Sequence, residues 1–300
     1  MATLLITGVS GMLGWTFSLE AAERFDVVGT FCSHAVEMGH GKIVSLDICD
    51  ADAVRGTLEE VGPDVVVHLA AISNTNACER VPALSRRVNL EASLTLAELC
   101  ARRKIPFVFS SSDLVFAGDK PPYAEDDEPQ PSNVYGMHKA GAERGIRDVH
   151  ESAAICRLPL LFGPPSPAYP ASRGSFMQGW LETLRRSEQL NLFVDEFRTP
   201  VSARDAARGL LMIVDELLAQ REVPTIHLGG PERLSRYDFG LLMCDAFKLP
   251  RDLVNPCAQV DVHMAAARPK DVSLSSERAR AMGFDPVPII EGLGSISKIA

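Results

Sequence analysis

The first fourteen residues constrain this chain more than any other stretch. Thr3 to Thr7 is short, leucine-rich and β-branched, and it runs without a break into Gly8-x-x-Gly11-x-x-Gly14, where a helix-forming stretch begins at Met12 and continues to about Arg24. A buried-type strand, a glycine turn and a helix, in that order, open a mononucleotide-binding unit on a parallel sheet. The first glycine permits the tight turn, the second a close backbone approach to a pyrophosphate and the third close helix packing, while the unsatisfied N–H groups of the helix start face the phosphates. A turn that binds nothing has the same spacing, but its place directly behind the first strand favours a cofactor. The dinucleotide contacts expected here are Gly8, Ser10, Gly11, Met12 and Leu13.

The chain is long enough for one large or two modest domains. Of its 300 residues 46% are hydrophobic and 23% charged, an ordinary globular balance that leaves room for a sizeable core. A net charge of -9 without any run of Lys and Arg argues against nucleic acid as a partner. The seven cysteines are scattered and never form a C-x-x-C pair, which disfavours both a disulfide framework and a zinc site, so no metal is expected. The N-terminus lacks a basic leader and enters the first strand at once, and no apolar run approaches the roughly 20 residues of a membrane span, so the expected location is cytoplasmic.

Along the chain, strands and helices alternate. Asp26 to Phe31 reads as a second strand, ending near Ser33 and His34 rather than at an acidic residue that would hold an adenosine ribose; a 2′-phosphate is not repelled there, which points to NADP(H) and still admits NAD(H). His34 as a solvated loop residue is the alternative. Ile43 to Leu46 leads to Asp47, either a neighbour of the adenine or a turn residue, and Asp50 caps a helix from Ala51 to Val61 that Gly62-Pro63 stops. Asp64 to Ala71 is a continuous apolar run, as a central parallel strand requires, with His68 read as a satisfied core histidine and Ala70-Ala71 small enough for a cofactor to lie against. A long helix is expected over Val81 to Arg103, carrying Asn89, then a strand over Ile105 to Phe109 with Ser110-Ser111-Ser112-Asp113 beyond its end. An acidic, proline-rich loop from Phe116 to Ser132 precedes a helix from about Tyr135 to His150, and Ala153 to Leu158 is a further strand.

Tyr135 and Lys139 are four residues apart and so share one helix face, about 6 Å of rise from each other. An ammonium beside a phenol favours the phenolate and draws its proton affinity toward neutrality, and a serine hydroxyl from a separate strand end would hold a carbonyl oxygen next to it. Together they suggest hydride chemistry on a carbonyl.

These residues resemble the extended short-chain dehydrogenase/reductases, and among them the dTDP-4-dehydrorhamnose reductase-like group of sugar-nucleotide-binding proteins. The resemblance runs nearly end to end and rests on the glycine turn, Ser111-Ser112-Asp113, Val115-Phe116-x-Gly118, Asn133-Val134-Tyr135-Gly136-x-x-Lys139, Phe197-Arg198-Thr199-Pro200 and Ala267-Arg268-Pro269-Lys270-Asp271-Val272. It implies an α/β fold, a Rossmann-type doubly wound parallel sheet with a smaller discontinuous substrate lobe: residues 1–163 with 196–230 returning to the dinucleotide-binding part, and 164–195 with 231–300 forming the lobe. By the same resemblance Ser112 orients a keto oxygen, Tyr135 donates the proton and Lys139 holds the nicotinamide ribose and tunes Tyr135, with Ser111 as the competitor for the part of Ser112. Further cofactor contacts implied are Ser33, His34, Asp47, Ile48, Leu69, Ala70, Ala71, Ser110 and Leu158; substrate contacts are Ser111, Asp113, Leu114, Arg198 and Arg268, and the leading cations for a diphosphate are Arg268 and Lys270, then Arg198, with surface salt bridging as their alternative. Leu114 stands where keto-sugar reductases commonly carry an aromatic, and Asp113-Leu114 lacks the Asp-Glu pair of the 4,6-dehydratases. The implied activity is NADP(H)-dependent reduction of a keto group, most readily on a 4-keto-deoxysugar nucleotide. The methionine adenosyltransferase regulatory subunit resembles the same group and suggests a non-catalytic alternative; an NAD-dependent sugar-nucleotide epimerase is another. The sequence leaves oligomeric state open, and a homodimer is compatible with it.

Overall fold

The glycine turn folds as its spacing requires. In the computed structural model, which describes residues 1–168 and 175–298, β1 (Ala2–Thr7) ends at Gly8 in the left-handed region, φ +75°, where a Cβ would also stand 2.7 Å from the Cα of Ala70. Only glycine meets both demands. Helix α1 (Met12–Ala21) follows, and then β2 (Phe25–Phe31), β3 (Lys42–Ser45), α2 (Ala51–Val61), β4 (Val65–His68), α3 (Thr75–Arg80), α4 (Pro82–Arg86), α5 (Ala92–Arg103) and β5 (Phe107–Ser112). Asp50 caps α2 through its side chain, accepting from the amides of Asp52 and Ala53, an arrangement worth about 1 kcal/mol.

The second half contributes α6 (Val134–Val149), β6 (Ala154–Leu158), β7 (Leu161–Phe162), α7 (Phe176–Arg185), β8 (Leu190–Phe193), β9 (Phe197–Arg198), β10 (Val201–Ser202), α8 (Ala203–Leu218), β11 (Ile226–His227), β12 (Leu234–Ser235), α9 (Arg236–Phe247), β13 (Val254–Cys257), α10 (Glu277–Ala281) and α11 (Ile289–Ser297). Seven strands form one sheet in the order β11-β6-β5-β4-β1-β2-β3, all parallel. The order reverses between β1 and β4, the switch point beyond whose carboxyl ends a ligand crevice opens. Alternate side chains of each strand face opposite ways, so Leu4, Ile6, Val65 and Val67 meet α1 and α8 on one side, while Leu5 and Val66 meet α2, α5 and α6 on the other. The fold class is therefore the α/β, Rossmann-type doubly wound sheet.

A separate apolar cluster lies outside the sheet, built from Phe162, Met177, Leu181, Leu192, Phe239, Met243, Val254, Ile289 and Leu293. Residues 169–174, part of the stretch assigned to the substrate lobe, lie outside the described residues, as do 299–300. Ala279 and Phe284, within that same assignment, pack instead in the sheet core beside Leu210 and Leu228.

Two local expectations need correction. The serines do not follow the fifth strand; they are its last three residues, because Ser110, Ser111 and Ser112 pair in register with Cys156, Arg157 and Leu158 of β6. The helix expected over Val81 to Arg103 is interrupted by a π-helical turn at Arg87–Glu91. Its cause is Asn89, which accepts from the Ile72 amide at 2.8 Å and donates to the Ile72 carbonyl at 3.0 Å, so this turn of helix is pinned to the loop after β4. Helix α11 was not expected at all.

Candidate active site

Helix α6 is placed by its first residues. Asn133 caps it, accepting from the Gly136 amide at 2.8 Å, and donates to the Ala267 carbonyl at 3.2 Å, while Glu79 of α3 accepts from the Val134 amide at 2.9 Å. Gly136 lets the helix touch the turn after β5: a Cβ there would stand 2.0 Å from the Leu114 carbonyl oxygen. This contact carries Tyr135, 8% exposed, against the end of the serine strand, with its phenol beside Ser112.

The three serines of β5 have different partners, as strand alternation dictates. Ser110 Oγ donates to the His68 carbonyl at 2.9 Å. Ser111 points to the opposite face and donates to the carboxylate of Glu143, which is itself ion-paired with Arg157 at 2.8 Å. The Ser111 hydroxyl is thereby committed to Glu143, although the residue also lines the cleft beyond the strand ends. Ser112 Oγ donates to Asp113 Oδ1 at 3.1 Å and accepts from the Leu114 amide at 3.1 Å, beside Tyr135.

Lys139 is fully buried, with its Nζ donating to the Ser110 carbonyl at 2.7 Å and lying 4.4 Å from the centre of the Phe109 ring. Burial brings its pKa down to about 7, with Glu143 and Cys78 opposing. Tyr135 is pushed well above the ordinary phenol range by burial, then by Asp113 and Cys78, with the Ser112 hydrogen bond pulling the other way. The expectation that Lys139 draws the phenol toward neutrality is not met in this state. The spacing of four does put both on one face, but the ammonium is spent on a strand carbonyl and both groups have lost water. The result is a phenol that keeps its proton, the form a general acid requires.

One cleft of about 1130 Å³ gathers the expected residues. Its walls include Gly8, Ser10, Gly11, Met12 and Leu13 of the glycine turn; Ser33, His34, Asp47 and Ile48 at the ends of β2 and β3; Leu69, Ala70 and Ala71 after β4; Ser110, Ser112, Asp113 and Leu114; Tyr135, Lys139 and Leu158; and Arg198 and Arg268. Gly11 has no atom but the Gly8 carbonyl oxygen near a would-be Cβ, at 3.4 Å, so its outer side is open for a phosphate as a dinucleotide needs. Ser33 and His34 hydrogen-bond each other at 2.9 Å, and Asp47 accepts from the Cys49 amide at 2.9 Å, making it a turn residue that also faces the cleft. His68 is the satisfied core histidine expected, held between Thr7 at 2.6 Å and Ser93 at 3.0 Å, with burial lowering its pKa to about 3. Lys270 is exposed and lines a separate hollow of about 730 Å³ that shares only Arg268 with the main cleft.

The far end of the cleft holds a charge cluster that the sequence showed only in part. Arg198 is buried and committed: Nη1 donates to the Phe197 carbonyl at 2.6 Å and the Pro269 carbonyl at 3.2 Å, and the guanidinium pairs with Glu196 at 3.4 Å and Asp113 at 3.5 Å. It is a scaffold for the acids more than a clamp for phosphate. Arg236, not foreseen, is the first residue of α9, set by the capping box of Ser235 and Asp238, and its Nε donates to Glu196 at 2.8 Å. Burial pushes Glu196 up, yet Arg236 and Arg198 outweigh it and the carboxyl ends below its usual range. Among the described residues, three buried side-chain polar atoms lack a hydrogen-bond partner: Oδ2 of Asp113, Nη1 of Arg236 and Nε of Arg268. All three residues line this cleft, and a buried polar atom without a partner calls for an explanation, an ion, a water or a functional contact among them. Three guanidiniums (Arg198, Arg236, Arg268) against two carboxylates (Asp113, Glu196) leave a positive surplus there.

Comparisons with known proteins agree with this geometry. The family model described as the RmlD substrate binding domain matches residues 1–297. The chain is 30% identical over 282 residues to methionine adenosyltransferase 2 subunit beta of Xenopus laevis, covering 93% of this chain and 82% of that one. It is also 30% identical over 267 residues to the probable low-salt glycan biosynthesis reductase Agl14 of Haloferax volcanii, covering 88% and 87%. The crystal structure of dTDP-4-dehydrorhamnose reductase from Bacillus anthracis in complex with NADP superposes with a TM-score of 0.83 at 22% identity, over 100% of this chain and 99% of that one. The chain belongs to the RmlD substrate binding domain family, the dTDP-4-dehydrorhamnose reductase-like branch of the extended short-chain dehydrogenase/reductases.

Proposed function

We propose that this protein is an NADP(H)-dependent reductase of a keto group, with a 4-keto-deoxysugar nucleotide as substrate. The observation that carries it is the meeting, in one cleft, of an open glycine turn, the Ser112 and Tyr135 hydroxyls, and buried unpartnered Arg236 and Arg268 atoms at the other end. Bound across the glycine turn and the ends of β2 to β4, the dinucleotide supplies the hydride. Tyr135, held protonated by its burial, supplies the proton to the carbonyl oxygen; Ser112 orients that oxygen; Lys139 holds the base of the site through Ser110. Arg236 and Arg268 offer N–H donors to a diphosphate, and the positive surplus around them favours an anion. Mixing the protein with NADPH and a panel of keto sugar nucleotides and free keto sugars tests the assignment: loss of NADPH absorbance with the former is expected, and none with any carbonyl compound would end it.

Two substitutions separate the parts of this reading. Arg236→Ala is expected to raise the KM of a diphosphate-bearing substrate about ten- to hundredfold, the equivalent of one charge-assisted hydrogen bond, and to change the KM of a free keto sugar far less. Equal changes for both would remove the diphosphate from this end. His34→Asp sets a carboxylate where the absence of an acid leaves room for a 2′-phosphate, and kcat/KM with NADPH relative to NADH is expected to fall at least about tenfold. A ratio that does not move would place the adenosine elsewhere.

A regulatory reading rests on the relatedness to methionine adenosyltransferase 2 subunit beta along 93% of the chain. Copurification with a methionine adenosyltransferase, without NADPH consumption on any carbonyl, would favour it over the reductase.

A further inference from the structure

The Ser112 hydroxyl has one proton and two lone pairs, and in this structure the proton and one lone pair are committed. The proton goes to Asp113 Oδ1 at 3.1 Å and one lone pair accepts from the Leu114 amide at 3.1 Å, with the phenol of Tyr135 close by. In this arrangement Tyr135 can turn its proton to a carbonyl oxygen in the cleft. Ser112 cannot, because withdrawing its proton leaves a buried carboxylate oxygen bare, and the second oxygen of that carboxylate already lacks a hydrogen bond.

We propose that Asp113 is a positioning residue whose protonation sets the direction of the Ser112 hydroxyl: ionised, it holds the only proton of Ser112; protonated, it donates to Ser112 and leaves both Ser112 and Tyr135 to donate to a carbonyl oxygen in the cleft. This rests on the reductase reading above. With the proton on Asp113, Ser112 accepts from Leu114 and Asp113 and has its own hydrogen to give, so the hydrogen-bond count closes with two donors on the substrate oxygen. The single proton taken up comes from solvent and is returned when Asp113 ionises.

The surroundings of Asp113 support a carboxyl that changes state near neutrality. It is 4% exposed, and the ionisable groups facing it are Arg198 of β9 with its neighbour Glu196, Arg236 of α9 and Tyr135 of α6. Burial raises its pKa, Arg198, Ser112 and Arg236 pull it back, Glu196 pushes it up again, and it settles at about 6. The Arg198 pair is loose: Nε stands 3.5 Å from Oδ2, an ion pair without a hydrogen bond. A tight bidentate pair would lock the carboxylate in its charged form.

The test is the pH dependence of kcat/KM for the keto substrate at saturating NADPH, between about pH 5 and 8.5, in the wild type and in Asp113→Asn, whose amide donates to Ser112 at every pH. Above the Asp113 pKa the wild type is expected to lose about tenfold per pH unit, as one required proton dictates, and the variant-to-wild-type ratio to climb by the same factor. A ratio constant across the range overturns the proposal, since a merely structural Asp113 would scale the variant equally at all pH values. Should Asp113→Asn not fold, the residual activity of Ser112→Ala decides: its profile is expected to lack the falling limb, and retention of the limb overturns the coupling. Carbon-13 spectra of aspartate-labelled protein add a readout independent of turnover. A carboxyl titrating near pH 6 and missing from Asp113→Asn is expected; ionisation of Asp113 throughout overturns the proposal even if no carbonyl compound is ever reduced, whereas absent turnover with that titration intact counts against the reductase reading alone.

Discussion

Tyr135→Phe is expected to fold as the wild type does and to bind NADPH with nearly the same affinity, while its turnover falls at least about a hundredfold, the lower end for a lost general acid. The substitution removes one oxygen and leaves the ring packed where it is. That oxygen lies beside Ser112, which keeps its own bonds to Asp113 and Leu114. Folding and chemistry therefore separate at this position. Circular dichroism and NADPH fluorescence check the first half, and steady-state kinetics the second. Unchanged turnover would take Tyr135 out of the mechanism.

Its neighbour is expected to behave in the opposite way. In Gly136→Ala the new methyl group would stand 2.0 Å from the Leu114 carbonyl oxygen and 2.9 Å from the Pro131 Cβ, and the first of these is backbone. Either α6 backs away from β5, breaking the Asn133 cap and the seat of Tyr135, or the turn after β5 deforms. Overpacking of this kind costs about 3 kcal/mol, at the upper end for one inserted carbon, which lowers Tm by roughly 5 °C in a chain of this length. Differential scanning calorimetry checks it. A Tm within a degree or two of the wild type would show that the helix and the strand are not in the contact described. The adjacent pair thus distinguishes a residue used for reaction from one used to hold it in place.

What the sequence made legible was what local chemistry determines. The turn from β1 to α1, the Asp50 cap and Gly62 stop of α2, and the apolar runs of β4 and β6 each carry their own signal; all but β4 appear at the expected residues to within a position, and β4 ends at His68, three residues short of Ala71. The end of β5 had none, since three serines are poor strand formers and become strand only through register with β6. Nor could sequence separate Ser111 from Ser112: alternation says that they face opposite ways, but which one meets Tyr135 depends on where Glu143 and α6 lie. Arg236 and Glu196 belong to no motif and join the site through tertiary packing alone. Helix α11 did leave a trace, with Ile289, Gly292, Leu293 and Ile296 at helical spacing and buried, but Gly292 and Gly294 dilute its propensity. The phenol is the clearest case of a pattern that misleads about magnitude. Spacing put Lys139 on the face of Tyr135, whereas burial, which no spacing reveals, decided the charge of both.

The claim on which the account turns is that this cleft delivers hydride and proton to one carbonyl. NADPH carrying deuterium at the transferable position of its nicotinamide, incubated with a keto sugar nucleotide, measures that directly. The account predicts one deuterium on the new carbinol carbon for each NADPH oxidised, with the transfer suppressed in Tyr135→Phe; NADPH bound in the cleft with no label reaching any carbonyl carbon would contradict it.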